Sequence, residues 1–98
     1  MTAALKLPAV ASLEQAPALL QEVDAALAAA GSRTLQVDAS GLTEFDTSAV
    51  ALLLHAQREA RTRGATLQVL GAPPKLRELA RLYGVDELLP LDSPPVPT

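Results

Sequence analysis

The sequence predicts one small α/β domain, and three observations support this. Two short segments, residues 34–39 and 66–70, alternate apolar and polar side chains with the period of a β-strand. Two longer segments, residues 16–30 and 47–63, repeat apolar side chains at helical spacing. Strands and helices therefore alternate along the chain, an order that implies right-handed crossovers in an α/β fold. A length of 98 residues fits a single domain, and no internal boundary is evident.

The strand predictions differ in strength along the chain. Residues 3–10 predict a short first strand, and Pro8 limits it to an edge position or an early end because proline cannot donate to a ladder. Residues 34–39 give a clear alternating strand, followed by a connecting loop at 40–45. Thr66–Leu70 predicts another alternating strand. The expected buried side of the 34–39 strand consists of Leu35, Val37 and Ala39.

The first helix has two competing start signals. Ser12 and Gln15 have the spacing of a capping box, but Pro17 favours a start nearer Ala16. Gly31 is a good residue for ending this helix. Its predicted buried face consists of Leu19, Val23, Ala26, Leu27 and Ala30.

Two further helices are predicted in the second half of the chain. One runs from about Thr47 to Arg63 and ends at Gly64. The other begins at the Pro73-Pro74 turn and is closed by Gly84. Its predicted apolar face consists of Leu76, Leu79, Ala80 and Tyr83.

The C-terminal end divides into a docked segment and a tail. Residues 85–91 predict a short helical turn that docks Leu88 and Leu89. Residues 92–98 contain three prolines and predict a disordered Pro-rich tail, so the domain itself spans residues 1–91.

The composition argues against several function classes. The chain has no Cys and one His, which leaves no thiolate metal site, no disulfide and no expected metal or cofactor. A net charge of −3 and only two aromatic side chains argue against nucleic-acid binding. No apolar run exceeds six residues, and the N-terminus does not resemble a secretory signal, so we expect a cytoplasmic protein.

The sequence does not predict an enzyme. Its five glycines never approach the spacing of a phosphate-binding loop. His55 is predicted to lie opposite the buried stripe of its helix, as a surface or partner-facing residue. No set of nucleophile, base and orienting group is evident.

The most informative segment is Asp46-Thr47-Ser48, three consecutive residues that each favour a helix N-cap position. A helix needs only one such cap. If Asp46 provides the cap, the hydroxyls of Thr47 and Ser48 lie in the first turn of the helix and are not needed to cap it. At that end of the helix, the dipole favours added negative charge. The alternative is simple redundancy in capping.

The start of the same helix is apolar on every side. Ala49, Leu53 and Ala56 suffice to dock it on a sheet, whereas Val50 and Leu54 point elsewhere. Those two side chains either pack against a neighbouring helix or form an exposed apolar patch of the kind that marks a protein partner.

These segments resemble the STAS domain family, the fold of sulfate-transporter tails and anti-sigma-factor antagonists. The resemblance covers about residues 34–90 and rests on Leu35–Leu42, on Phe45-Asp-Thr-Ser-Ala-Val50 and on Thr66–Gly71. Within the family the chain is closer to the MlaB type, through Asp46–His55 and the late Leu79–Pro90 segment. The strands before the first helix look shortened to one weak segment.

The resemblance implies a mixed sheet of about four strands packed with three or four helices, and no enzymatic activity. Thr47 matches the regulatory hydroxyl position of the family, with Ser48 the less favoured candidate. The expected partner interface consists of Phe45, Asp46, Thr47, Ser48, Val50, Ala51 and Leu54.

Two functions are consistent with the resemblance. The favoured one is a subunit that binds and supports the cytoplasmic ATPase of a phospholipid ABC transport system (Mla type), peripheral to the inner membrane through that partner. The alternative is an anti-sigma-factor antagonist, in which a serine-kinase-type anti-sigma factor phosphorylates Thr47. Monomer and homodimer are both left open.

Overall fold

Five strands and three helices form the part of the chain that the computed structural model describes, residues 2–89. The α/β class is confirmed. The elements are β1 (Thr2–Lys6), β2 (Val10–Ala11), α1 (Ala16–Ala30), β3 (Thr34–Asp38), β4 (Glu44–Phe45), α2 (Thr47–Thr62), β5 (Thr66–Leu70) and α3 (Pro74–Leu82). Within these residues, no helix has the length and apolar content needed to cross a lipid bilayer.

The larger sheet is parallel and has the strand order β1-β3-β5. Leu35, Val37 and Val69 point to one face and are fully buried, as their alternation predicts. α1 packs against β1, β3 and α2, and α2 packs against β5 and α3, so helices cover this face. On the opposite face the Gln36 Nε2 donates to the Gln68 Oε1 at 3.0 Å. The sheet is therefore buried on one side and solvated on the other, which explains the alternating rather than continuous apolar pattern.

A second, two-stranded parallel sheet pairs β2 with β4, and the sequence analysis missed it. The expected loop at 40–45 contains β4, and the expected single strand at 3–10 is divided into β1 and β2. Pro8 explains this division, because proline has no amide proton to donate to a neighbouring strand. The hydrogen bonding beside β3 ends one residue earlier, where the Leu7 amide donates to the Asp38 carbonyl at 2.9 Å. The expected architecture is a mixed sheet of about four strands. The described residues instead form five strands in two sheets, and all their strand pairs are parallel.

The helices follow their sequence signals closely. α1 begins at Ala16, as Pro17 predicts, and the Ser12–Gln15 pair closes the preceding turn through the Ser12 amide and the Gln15 Oε1 at 3.0 Å. α2 ends one residue before the predicted Arg63.

The predictions at the end of the described chain are only partly right. α3 ends at Leu82, so Tyr83 lies past the helix and is 58% exposed rather than on its buried face. In the turn at 85–89, Leu89 is docked in the core as predicted, but Leu88 is 57% exposed. The predictions for residues 90–91 and for the tail at 92–98 lie outside the described residues.

Gly71 brings the loop after β5 against the loop after β3. It has a φ of 68°, in the left-handed region, and a Cβ at this position would lie 2.8 Å from the Ser40 Cβ. Gly64 has a similar φ of 72°, but a Cβ there would meet no atom within 4 Å. The two glycines share the same backbone requirement and differ in their surroundings.

Gly71→Ala is therefore expected to destabilise the domain more than Gly64→Ala. The left-handed conformation alone costs a non-glycine residue about 1–2 kcal/mol, and the contact with Ser40 adds to this at Gly71 only. Urea denaturation of the three proteins measures the free energies of unfolding. Equal losses for the two variants would contradict the close approach of the loops.

Candidate functional site

The N-terminus of α2 is held by the Asp46 side chain, which accepts two backbone hydrogen bonds. Asp46 Oδ1 accepts from the Ser48 amide at 2.8 Å, the bond expected of an N-cap residue. Asp46 Oδ2 accepts from the Leu13 amide at 3.2 Å, although Leu13 lies 33 residues earlier in the chain. One carboxylate therefore caps α2 and fixes the turn before α1 beside it.

The same hydrogen bonds favour the charged form of Asp46. The hydrogen bond from the Ser48 amide is the main cause that lowers the pKa of the Asp46 carboxyl. Desolvation is the second-largest effect and opposes it, and the Ser48 hydroxyl and the Leu13 amide lower the pKa further. The cap is therefore ionised at neutral pH.

The hydroxyl of Thr47 has no structural task in this arrangement. Thr47 is exposed, and it forms no side-chain hydrogen bond among residues 2–89. Ser48 is half-buried. Because Asp46 provides the cap, Thr47 presents a hydroxyl to solvent at the positive end of the α2 dipole.

The apolar residues expected at the interface divide between core and surface. Val50 is 4% exposed and belongs to the core, so it supports the surface without being accessible to a partner. Ala51 is exposed, and Leu54 is half-buried. The two alternatives for this part of the helix are thus resolved differently for Val50 and for Leu54. Thr47, Ala51 and Leu54 lie along one face of α2.

Leu13 is the main surface residue that the sequence analysis missed. Its side chain is 72% exposed, next to the α2 N-cap through its bond to Asp46. The only signal in the sequence is a leucine in a polar turn, outside the buried stripe of α1. Its nearness to Asp46 depends on a contact between distant parts of the chain, which periodicity does not reveal.

A cleft of about 380 Å³ borders this end of α2. Phe45 is half-buried and lines the cleft, together with the Glu44 and Asp46 carboxylates. Lys75 from the first turn of α3 lines it from another side. The short β2–β4 sheet positions Phe45 and Glu44 directly before the cap.

The one histidine of the chain lies away from Thr47. His55 lies eight residues after Thr47, about 12 Å along the helix. Its Nε2 is 3.0 Å from the Asp24 Oδ1, so it lies half-buried between α1 and α2 instead of fully at the surface. His55 is therefore too far from the Thr47 hydroxyl to act as its general base. Among residues 2–89 no three metal-binding side chains cluster.

Comparisons with known proteins agree with this fold. A family model described as "Mlab, STAS domain" matches residues 2–90. An anti-sigma-factor antagonist (STAS) domain protein from Planctomyces limnophilus is similar in structure, with a TM-score of 0.74, 18% identity and coverage of 88% of this chain and 77% of that one.

Structures of the Bacillus cell fate determinant SpoIIAA are also similar. The phosphorylated form has a TM-score of 0.68 and the unphosphorylated form 0.66, each at 19% identity and 88% coverage of this chain. They are covered over 78% and 75% of their own lengths. No curated protein matches the chain significantly.

Asp46→Asn is expected to remove a pH-dependent part of the stability. Because the pKa of Asp46 in the folded state lies below its ordinary value of 3.8, the charged cap stabilises the fold fully above that value. This stabilisation is lost as the pH falls through the lowered pKa. Urea denaturation between pH 7 and pH 2 should show wild type and variant converging in acid. Asp86→Asn controls for the loss of a negative charge, and a pH-independent difference at Asp46 would contradict the prediction.

Proposed function

This chain belongs to the MlaB-type STAS domain family, and we propose that it is a non-enzymatic subunit that binds the cytoplasmic ATPase of a phospholipid ABC transport system. In this role it supports the assembly and activity of the ATPase. It is held at the inner membrane by that partner.

The observation that carries the proposal is the surface around Thr47. It combines the Thr47 hydroxyl, which forms no hydrogen bond within residues 2–89, with the fixed carboxylate of Asp46. The exposed side chains of Leu13 and Ala51 complete it. Burying the apolar side chains of Leu13 and Ala51 against a partner removes them from water, which stabilises the complex. Asp46 holds the turn and the helix end together before binding, so little conformational order needs to be gained on association.

The choice of an ABC-transporter ATPase as partner is supported by the MlaB description of the matching family model, which extends over residues 2–90. It is also supported by the likeness of the Asp46–His55 and Leu79–Pro90 segments to that type. A STAS domain with this partner would act by contact alone.

A second candidate function is an anti-sigma-factor antagonist regulated by phosphorylation of Thr47. The exposure of the Thr47 hydroxyl favours it, because a kinase needs an accessible oxygen. A phosphate would add about −1.5 to −2 charge beside Asp46 and Glu44. It would alter the contact with a partner more than the fold.

Thr47→Ala is expected to weaken binding of the ATPase about tenfold, since the hydroxyl lies on the proposed contact surface. The free energy of unfolding should change by no more than about 0.5 kcal/mol, because Asp46 still caps α2. Thr47→Glu should weaken binding at least as much. Affinity pull-down from native membranes, followed by titration with the recovered ATPase, measures the effect.

The matched control is Thr66→Ala, which removes an exposed threonine on β5. A sharp loss of stability in Thr47→Ala with unchanged binding would make Thr47 a structural residue. Recovery of a kinase-like protein that phosphorylates Thr47 stoichiometrically with ATP, and is released by doing so, would replace the transporter function with the alternative.

Leu13→Ala is expected to reduce ATPase binding about tenfold or more without a loss of stability. Leu13 is 72% exposed, so its truncation removes little from the core, whereas burying a leucine in an interface contributes about 1.5–3 kcal/mol. Leu82→Ala is the control, because Leu82 is 76% exposed at the end of α3. Equal effects of the two substitutions on binding would remove Leu13 from the interface.

A further inference from the structure

A second concave surface lies between the C-terminal half of α2 and the turn at 85–89. Its volume is about 430 Å³, within the range of pockets that bind ligands. We call it the α2 groove. It is lined by Leu54, Gln57, Arg58, Arg61, Thr62 and Leu88.

The apolar part of the α2 groove comes from two leucines. Leu54 is half-buried, and Leu88 is 57% exposed. Leu88 is held in place, because its amide donates to the Val85 carbonyl at 2.9 Å and the next residue, Leu89, is anchored in the core. An exposed leucine on an anchored turn is a preformed contact.

The charged part of the α2 groove is wholly basic. Arg58 and Arg61 are its only charged lining residues, in a chain whose net charge is −3. Neither Arg58 nor Arg61 has an ion-pair partner within 4 Å among residues 2–89. Two unpaired guanidinium groups beside apolar side chains favour carboxylates of a partner, which arginine can bind through two parallel hydrogen bonds.

We propose that the α2 groove binds an acidic, leucine-bearing helical segment of a partner protein. One or two apolar side chains of that segment would contact Leu54 and Leu88, and its carboxylates would pair with Arg58 and Arg61. This is the helix-in-groove mode of recognition, with charge complementarity deciding which segment binds. The small size of the surface fits a weak, micromolar interaction.

An anionic membrane suits the α2 groove less well. Electrostatic binding to anionic lipids usually requires a cluster of about four to eight basic residues. The groove offers two, on a concave surface of a protein that is negatively charged overall.

The α2 groove does not depend on the function proposed for Thr47. Arg61 lies 14 residues after Thr47, about 21 Å along α2 at 1.5 Å per residue. Leu54 lies between them and borders both surfaces, but the arginines that define the α2 groove are too far from Thr47 to contact the same side chain of a partner.

The probe for this proposal is a fluorescein-labelled helical peptide of about 16 residues, long enough for an isolated helix. It carries leucines at helical spacing with glutamates on either side, and a matched peptide has lysines in place of the glutamates. Fluorescence anisotropy with the full 98-residue chain should show micromolar binding of the acidic peptide. Binding of the lysine peptide should be at least tenfold weaker.

Variants of the chain assign the binding to the α2 groove. Arg58→Glu and Arg61→Glu should each weaken binding at least tenfold, whereas Arg81→Glu, an equal charge change at the end of α3, should not. Leu88→Ala should weaken binding severalfold and Leu82→Ala should leave it unchanged. Thr47→Glu should also bind normally, which separates this result from any failure of the ATPase proposal.

Several outcomes would overturn the proposal. They are no binding of the acidic peptide, equal binding of both peptides, or equal effects of Arg58→Glu and Arg81→Glu. Loss of peptide binding in Thr47→Glu would place the peptide on the other surface. Sedimentation with phosphatidylglycerol vesicles that depends on Arg58, without peptide binding, would assign the groove to lipid instead.

Discussion

The two backbone hydrogen bonds accepted by Asp46 determine how the surface at the N-terminus of α2 is built. One satisfies an amide of the first turn of α2, and the other holds the turn before α1. A single side chain thus performs the capping for which three adjacent residues are suited. Since only one cap is needed, Thr47 remains free for contact with another molecule. Leu13 is brought beside it by the same carboxylate, so the composition of the surface follows from the cap.

The alanine-rich composition has a structural basis in the packing of α2. Ala49, Ala56 and Ala60 are each no more than 2% exposed, and their small side chains allow the helix to lie close to its neighbours. The larger buried residues, such as Leu27 and Leu53, fill the space between helices and sheet. The core therefore lies between the helices and one face of the sheet, and the far face is left uncovered. That face carries the Gln36–Gln68 pair instead.

The sequence predicts those features that repeat along an element. The β3 and β5 strands and all three helices have enough residues for a period to be recognised, and proline and glycine mark their ends. β2 and β4 have two residues each, too few to show any period, and they exist because the chain is brought back alongside itself. Val50 and Leu54 have the same character in the sequence. Only the position of the neighbouring helices determines that Val50 is buried in the core and that Leu54 reaches the surface. The position of Leu13 beside the α2 N-cap depends likewise on a hydrogen bond to a residue 33 positions away.

The groups that stabilise the N-terminus of α2 differ from those that it exposes to solvent. At the N-terminus of α2 the groups that hold the fold are Asp46 and backbone amides, whereas those available to a partner are Thr47, Leu13 and Ala51. A charge placed on Thr47 would lie between the favourable helix dipole and the unfavourable Asp46 and Glu44 carboxylates. No hydrogen bond of the Thr47 side chain would be broken within the described residues, so the fold would remain and only the contact surface would change. Modification and partner binding would thus compete for the same exposed atoms, and this competition requires no conformational change within the domain.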